Sequence, residues 1–128
     1  MIVDKVEKKV DNNHNIIILS DRKTSKKYAP IPILLVCSYV HHSLIKRKKR
    51  SKFGIVIESA EPREPHHFSM LFGYGASAIN PYMVNEIIEY HHKLGFLNEQ
   101  KLDKSIDNFN KAIAKGILKV MNLSLIHI

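Results

Sequence analysis

Between Ile55 and Pro81 the sequence reads IVIESAEPREPHHFSMLFGYGASAINP, which sets Glu58, Glu61, Arg63, Glu64, His66, His67 and two glycines between apolar runs. Each grouping suggests a chemistry. Carboxylates beside an arginine can orient an anionic substrate or hold an acid poised for proton transfer. Paired histidines suggest a metal, and closely spaced glycines a phosphate loop. The histidines come as three adjacent pairs, His41/His42, His66/His67 and His91/His92. Neighbours on a helix point roughly 100° apart, so such a pair does not chelate one ion, and the i, i+4 spacing of helical zinc sites is missing. One histidine of each pair is expected to pack inward while the other faces out, and no metal is expected. The glycines Gly73 and Gly75 follow a helix pattern and lead into a strand, the reverse of a dinucleotide fingerprint. They read as a helix stop and a tight turn.

The elements that must carry these residues alternate. IIIL (Ile16 to Leu19) is a short buried strand, and SDRKTSKKYAP a polar loop. PIPILLVCSYVHHSLI is a helix with its prolines in the first turn; it is apolar around most of its circumference, so burial on more than one side is expected. FGIVIES (Phe53 to Ser59) is a second strand. A helix follows from Pro65, with Glu64 before it. ASAI is a third strand, and Asn80-Pro81 reads as an N-cap and first helical residue. That helix runs to about Leu94, where Gly95 stops it. A last helix from about Glu99 aligns Leu102, Ile106, Phe109, Ile113, Ile117 and Val120 on one stripe. Residues 1–15 show no clear period and read as a connecting segment.

The order β-α-β-α-β-α-α predicts an α/β fold with a partial parallel sheet joined by right-handed crossovers. Three strands are few, and a parallel sheet is expected to be covered on both faces. The carboxyl ends of parallel strands share one edge, where open α/β sheets bind ligands. That edge gathers Ser20, Asp21 and Arg22, then Glu58, Glu61, Arg63 and Glu64, then Asn80. No nucleophile accompanies these charges, so an ion-pair network pinning loops is favoured over a catalytic centre.

With 128 residues, 45% hydrophobic and 25% charged, the composition is that of one globular domain. No apolar run reaches the roughly 20 residues that span a bilayer, and the N-terminus is not a secretory signal. Cys37 is the single cysteine, so neither an internal disulfide nor a cysteine-held cluster is available, and a cytoplasmic or organellar interior is favoured. The net charge of +8 owes much to KRKKRSK (Lys46 to Lys52). This run could bind nucleic acid, but it follows a helix pattern, and a solvated helix end is favoured over nucleic-acid or membrane binding.

Several stretches together resemble the central domain of the glutamate synthase large subunit: ILSDR (Ile18 to Arg22), APIPILL (Ala29 to Leu35), VHHSLI (Val40 to Ile45), GIVIESAEPREPHHFSMLFGYGASAINPY (Gly54 to Tyr82) and KAIAKGILKVM (Lys111 to Met121). The resemblance implies a fold like a rudimentary (β/α) barrel. It implies an enzyme that hydrolyses glutamine in an amidotransferase domain and passes ammonia through a tunnel to an FMN barrel bearing a 3Fe–4S cluster. There 2-oxoglutarate is converted to glutamate with electrons from NAD(P)H or ferredoxin. It divides the chain into residues 16–108, the later part of the central domain, and 109–122, the start of the FMN-binding domain. Lys119 and Met121 match the start of the family's KVMSKMG stretch and are the cofactor-binding candidates. Residues 123–128, LSLIHI, match a translated sequencing-adaptor end and are expected to be a processing scar. Catalytic residues are not expected in this piece. Asp21, Arg22, Glu58, Glu61, Arg63, Glu64, His66 and His67 become interdomain or tunnel candidates. The implied partners are the amidotransferase and FMN domains of the same chain, with a small NAD(P)H-oxidising subunit or ferredoxin. The location is cytoplasmic, or the plastid in a eukaryote. Two departures stand out: KRKKRSK replaces a stretch where the family usually has a helix-stopping glycine, and Pro65 replaces an aliphatic residue.

Two other classes stay open on the residues alone. One is a stand-alone small α/β enzyme using the Asp21/Arg22/Glu61/Arg63 edge. The other is a basic nucleic-acid-binding module acting through Lys46 to Lys52.

Overall fold

A computed structural model describes residues 2–97 and 101–126, with side chains to residue 123. The elements in chain order are α1 (Ile2–Asp11), β1 (Ile16–Ser20), α2 (Ile33–Lys46), β2 (Gly54–Glu58), α3 (Pro65–Gly73), β3 (Ala78–Asn80), α4 (Tyr82–Lys93) and α5 (Leu102–Ile126), with a 3-10 turn at Arg50–Lys52. The three strands form one parallel sheet in the order β1-β2-β3. Ile17 lies beside Ile55, and Leu19 beside Ile57, which in turn pairs with Ile79. Strand side chains alternate between faces, so these residues share one side of the sheet.

That side is the core. Val3, Val6 and Val10 from α1, Ile33, Cys37, Val40 and Leu44 from α2, and Leu71 from α3 pack in one cluster with Ile17, Leu19, Ile55 and Ile57. All three helices therefore cover the same face, as in a slice of a (β/α) barrel, and the sheet is open and not closed. The expected cover on both faces is absent among the described residues. Ile16 and Ile18, on the far side of β1, are 64% and 62% exposed.

Within residues 1–15, where the sequence shows no clear period, residues 2–11 form α1. Val3, Val6 and Val10 recur at i, i+3 and i+7, a stripe one residue wide that five charged neighbours conceal. Helix α2 is also simpler than expected. Its buried residues make one stripe, Ile33, Cys37, Val40 and Leu44, and Leu35, Tyr39 and Ile45 lie exposed on the opposite side. Its prolines precede the helix, with Pro32 at the cap. Asn80 belongs to β3, so the cap of α4 falls one residue later, on Pro81. The stripe expected along the last helix faces inward, with Ile113 buried, while the expected start near Glu99 falls at residues 98–100, outside the described residues. Within α5 the backbone runs unbroken past residues 108 and 122. Residues 127–128 of LSLIHI lie outside the described residues.

Helices α1 to α4 end alike. Each is followed by a residue at positive φ: Asn13 (62°), Lys48 (55°), Gly75 (98°) and Gly95 (75°). In each case the next residue's N–H reaches back five positions, from His14 to Lys9, Lys49 to Leu44, Ala76 to Leu71 and Phe96 to His91. These are Schellman closures, which absorb orphan carbonyls at the helix end. Gly75 and Gly95 stop their helices as the sequence predicts. Lys48 stands where glycine would be unstrained, and it takes the left-handed conformation nonetheless.

Candidate functional site

The carboxyl edge of the sheet collects three of the candidates. Asp21 follows β1 and receives hydrogen bonds at Oδ2 from the Ser59 hydroxyl (2.6 Å) and the Ala60 N–H (3.0 Å), and at Oδ1 from the Tyr82 hydroxyl (2.8 Å). Burial pushes the Asp21 carboxyl up, but the bonds from Ser59, Tyr82 and Ala60 outweigh it and hold the group below 3.8. The reciprocal effect raises the Tyr82 phenol, through its bond to Asp21 and then through burial. Glu58, the last residue of β2, accepts from the Ser20 hydroxyl (2.6 Å) and from Arg22 Nε (2.8 Å), and both bonds lower its pKa. Arg22 lies 4.0 Å from the centre of the Tyr82 ring and reaches Glu86 at 3.5 Å.

Backbone bonds complete the edge. The Asp21 N–H donates to Glu58 O, and the Ser59 N–H to Asn80 O. The loop after each strand is thus tied to its neighbour, and Asp21 joins all three. Both oxygens of Asp21 and both of Glu58 are engaged. Such a cluster is built to hold geometry: the carboxylates are low in pKa and saturated with donors, the opposite of an acid readied to give up a proton. Ser59, Tyr82 and Glu86 were missed by the sequence reading. Tyr82 had a signal, since it directly follows Asn80-Pro81 at the end of the third strand.

Glu61 has a separate task. Both of its oxygens accept the Ile33 N–H, at 3.1 and 3.2 Å, at the start of α2. Pro32 has no side-chain group to cap with, so a carboxylate 28 residues onward serves the helix, favoured there by the dipole. The Glu61 N–H in turn donates to Ser59 Oγ (3.2 Å), linking this cap to the Asp21 cluster. The remaining candidates flank the start of α3. His67 Nδ1 accepts the Arg63 N–H (3.2 Å), and His67 Nε2 lies 3.3 Å from Glu64. His66 and His67 line a groove of about 230 Å³ with Glu61, Leu34, Pro62 and Met70.

Two of the histidine pairs divide as expected, with His41 half-buried beside exposed His42 and His92 half-buried beside exposed His91. His66 and His67 are both exposed. No three His, Cys, Asp or Glu side chains converge among the described residues. Lys119 and Met121, the cofactor-binding candidates, are both exposed on α5.

The basic run turns inward. Arg47 pairs with Asp4 (3.2 Å) and Glu7, and Lys49 with Glu7 (2.9 Å) and Asp11 (2.8 Å), all on α1. Arg50 donates to His41 Nδ1 (2.9 Å), Phe53 O (2.7 Å) and Gly75 O (2.6 Å), tying α2 to the turn after α3. Burial first, then the Arg50 charge, pulls His41 below 6.5, which favours the neutral ring. Three of the run's six cations, Arg47, Lys49 and Arg50, are thus spent on the fold, while Lys46, Lys48 and Lys52 are exposed. Burial raises the Cys37 thiol, which donates to Tyr74 O (3.4 Å) and behaves as core packing. No helix among the described residues is long and apolar enough to cross a membrane.

Comparison with known proteins gives one consistent result. A family model described as the glutamate synthase central domain matches residues 1–127. The chain is 38% identical over 118 residues to a glutamate synthase (NADPH) large chain of Bacillus subtilis (strain 168), covering 92% of this chain and 8% of that protein. It is 34% identical over 131 residues to a glutamate synthase (NADH) of Saccharomyces cerevisiae, covering 94% and 6%. It is 33% identical over 132 residues to a ferredoxin-dependent glutamate synthase of Antithamnion sp., covering 94% and 9%. The chain therefore spans under a tenth of the length of these relatives. A sheet with helices on one face, a carboxyl edge stitched by its own side chains and a match over nearly every residue agree: this chain belongs to the glutamate synthase central-domain family.

Proposed function

We propose that this chain is part of the brace that holds the glutaminase and synthase sites of a glutamate synthase at a fixed separation. The whole enzyme would convert glutamine, 2-oxoglutarate and two reducing equivalents to two glutamates, and so assimilate ammonia. Its FMN and 3Fe–4S cluster would be held by residues outside this chain. The amidotransferase and FMN domains would be the brace's neighbours, with residues 109–122 leading into the latter. Electrons would come from a small NAD(P)H-oxidising subunit or from ferredoxin, in the cytoplasm or a plastid.

The observation that carries this reading is the saturated carboxyl edge. Where an open α/β sheet would place reacting groups, this one spends Asp21, Arg22 and Glu58 on one another and on Ser59, Tyr82 and Ser20. Such an edge supports loops for other domains to rest on. Glu61, Arg63, Glu64, His66 and His67 lie beside it and are proposed to face a neighbouring domain along the ammonia route. In the enzyme carrying this segment, Glu61→Gln and Arg63→Gln are expected to raise glutamine hydrolysed per glutamate formed above the wild-type ratio. The Gln side chain keeps an acceptor for the Ile33 N–H, so the cap of α2 persists. A ratio unchanged in both variants would refute the role along the ammonia route.

A further inference from the structure

Among the described residues the outer edge of β1 has no partner strand, and the backbone shows which groups are left over. Asp21 N–H donates to Glu58 O and Gly54 N–H to Asn15 O, so the odd-numbered residues of β1 turn their peptide groups toward β2. In a parallel ladder alternate residues carry the bonds, and the N–H and C=O of Ile16, Ile18 and Ser20 therefore point away from the sheet. A groove of about 380 Å³ runs beside this edge, walled by Ile2, Ile18, Leu19, Tyr28 and Ile31.

Helix α1 gives the edge a direction. Its first residue, Ile2, lies beside Leu19 and Ser20 at the carboxyl end of β1, and its last turn leads back to Ile16 at the amino end. It runs antiparallel to the strands and packs in the same cluster as α2 and α3, on the same face. That is the position of a crossover helix. The units β1-α2-β2 and β2-α3-β3 step across the sheet in one direction with their helices on that face. A right-handed unit that uses α1 on the same face must take the same step, so its first strand falls outside β1, away from β2.

We propose that the free edge of β1 receives a further parallel β-strand, supplied by the polypeptide that leads into α1 in the longer protein. This rests on the reading of the chain as part of a larger enzyme, whose relatives are more than ten times as long as the segment matched. The strand satisfies the outward peptide groups of Ile16, Ile18 and Ser20 and covers an edge that would otherwise template aggregation. It also extends the open apolar face of Ile16 and Ile18 toward a more complete barrel wall.

Amide hydrogen exchange in the wild-type longer enzyme tests the pairing. The amides of Ile16, Ile18 and Ser20 are expected to exchange within about tenfold of those of Ile17 and Leu19. Exchange as fast as that of exposed Lys26 and Lys27 would overturn the proposal. A photoreactive benzophenone amino acid in place of Ile18 identifies the neighbour. Cross-linking to a peptide of the same polypeptide upstream of α1 is expected. Cross-linking to a second copy, or to a downstream segment, would refute it. The ratio of glutamine hydrolysed to glutamate formed is a separate readout, so the brace and the added strand fail independently.

Discussion

Lys48 and Glu61 show how much a single residue's role depends on backbone geometry. Lys48 occupies the left-handed position after α2, where a side chain strains against its own carbonyl. Lys48→Gly is expected to stabilise the chain by about 1 kcal/mol, read as a higher urea midpoint at unchanged slope. A lower midpoint would show that the lysine side chain has a compensating contact. Glu61→Ala removes the acceptor at the start of α2 and is expected to cost about 1 kcal/mol, with Glu61→Gln recovering part of it. Neither role follows from residue type. A lysine in a basic run and a glutamate in an acidic one look like surface charges until the chain is folded around them.

At the scale of elements, close approach decides more than propensity. Gly116 lies mid-way along α5, where alanine is the better helix former by about 1 kcal/mol. A Cβ there would stand 2.5 Å from the Pro65 Cβ and Cγ, in the first turn of α3. Gly116→Ala is therefore expected to destabilise by about 1–2 kcal/mol in spite of propensity, with thermal unfolding as the readout. The pairing also explains how Pro65 is accommodated. It opens α3, where no helical hydrogen bond is lost, and packs on the one residue of α5 without a side chain. Sequence periodicity located α5 and its inward stripe, because that pattern is local. It did not locate α1, whose stripe is one valine wide and whose partners, Arg47 and Lys49, lie some forty residues away.

For the molecule as a whole, electrostatics and the sheet's uneven cover set the behaviour. The neutral ring of His41 is favoured between α2 and the Gly75 turn, so its folded pKa lies below that of the unfolded chain. Above about pH 6.5 both states are neutral and nothing is lost; below it the unfolded chain takes up a proton that the fold resists. Urea stability is expected to fall as pH drops below about 6.5 toward the lower folded value, and His41→Gln to flatten that fall. Asp21 acts in a more acidic window: its contribution is complete above 3.8 and is lost as pH drops through its lower folded value. The exposed Ile16 and Ile18 face, with Leu35 and Tyr39 on the outer side of α2, marks the surfaces on which neighbouring domains would rest.

The sequence alone determined the three strands, the four helices from α2 to α5, the glycine stops at Gly75 and Gly95, the parallel alternation and the family. All of these follow from short-range patterns: side-chain period, turn chemistry and contiguous motifs. Only the tertiary structure decided that one sheet face is covered, that α1 exists, that Arg47 and Lys49 of the basic run pair with α1 and that Glu61 caps a helix 28 residues back. These depend on which distant residues meet, and a polar side chain's role is set by the partner that folding brings to it.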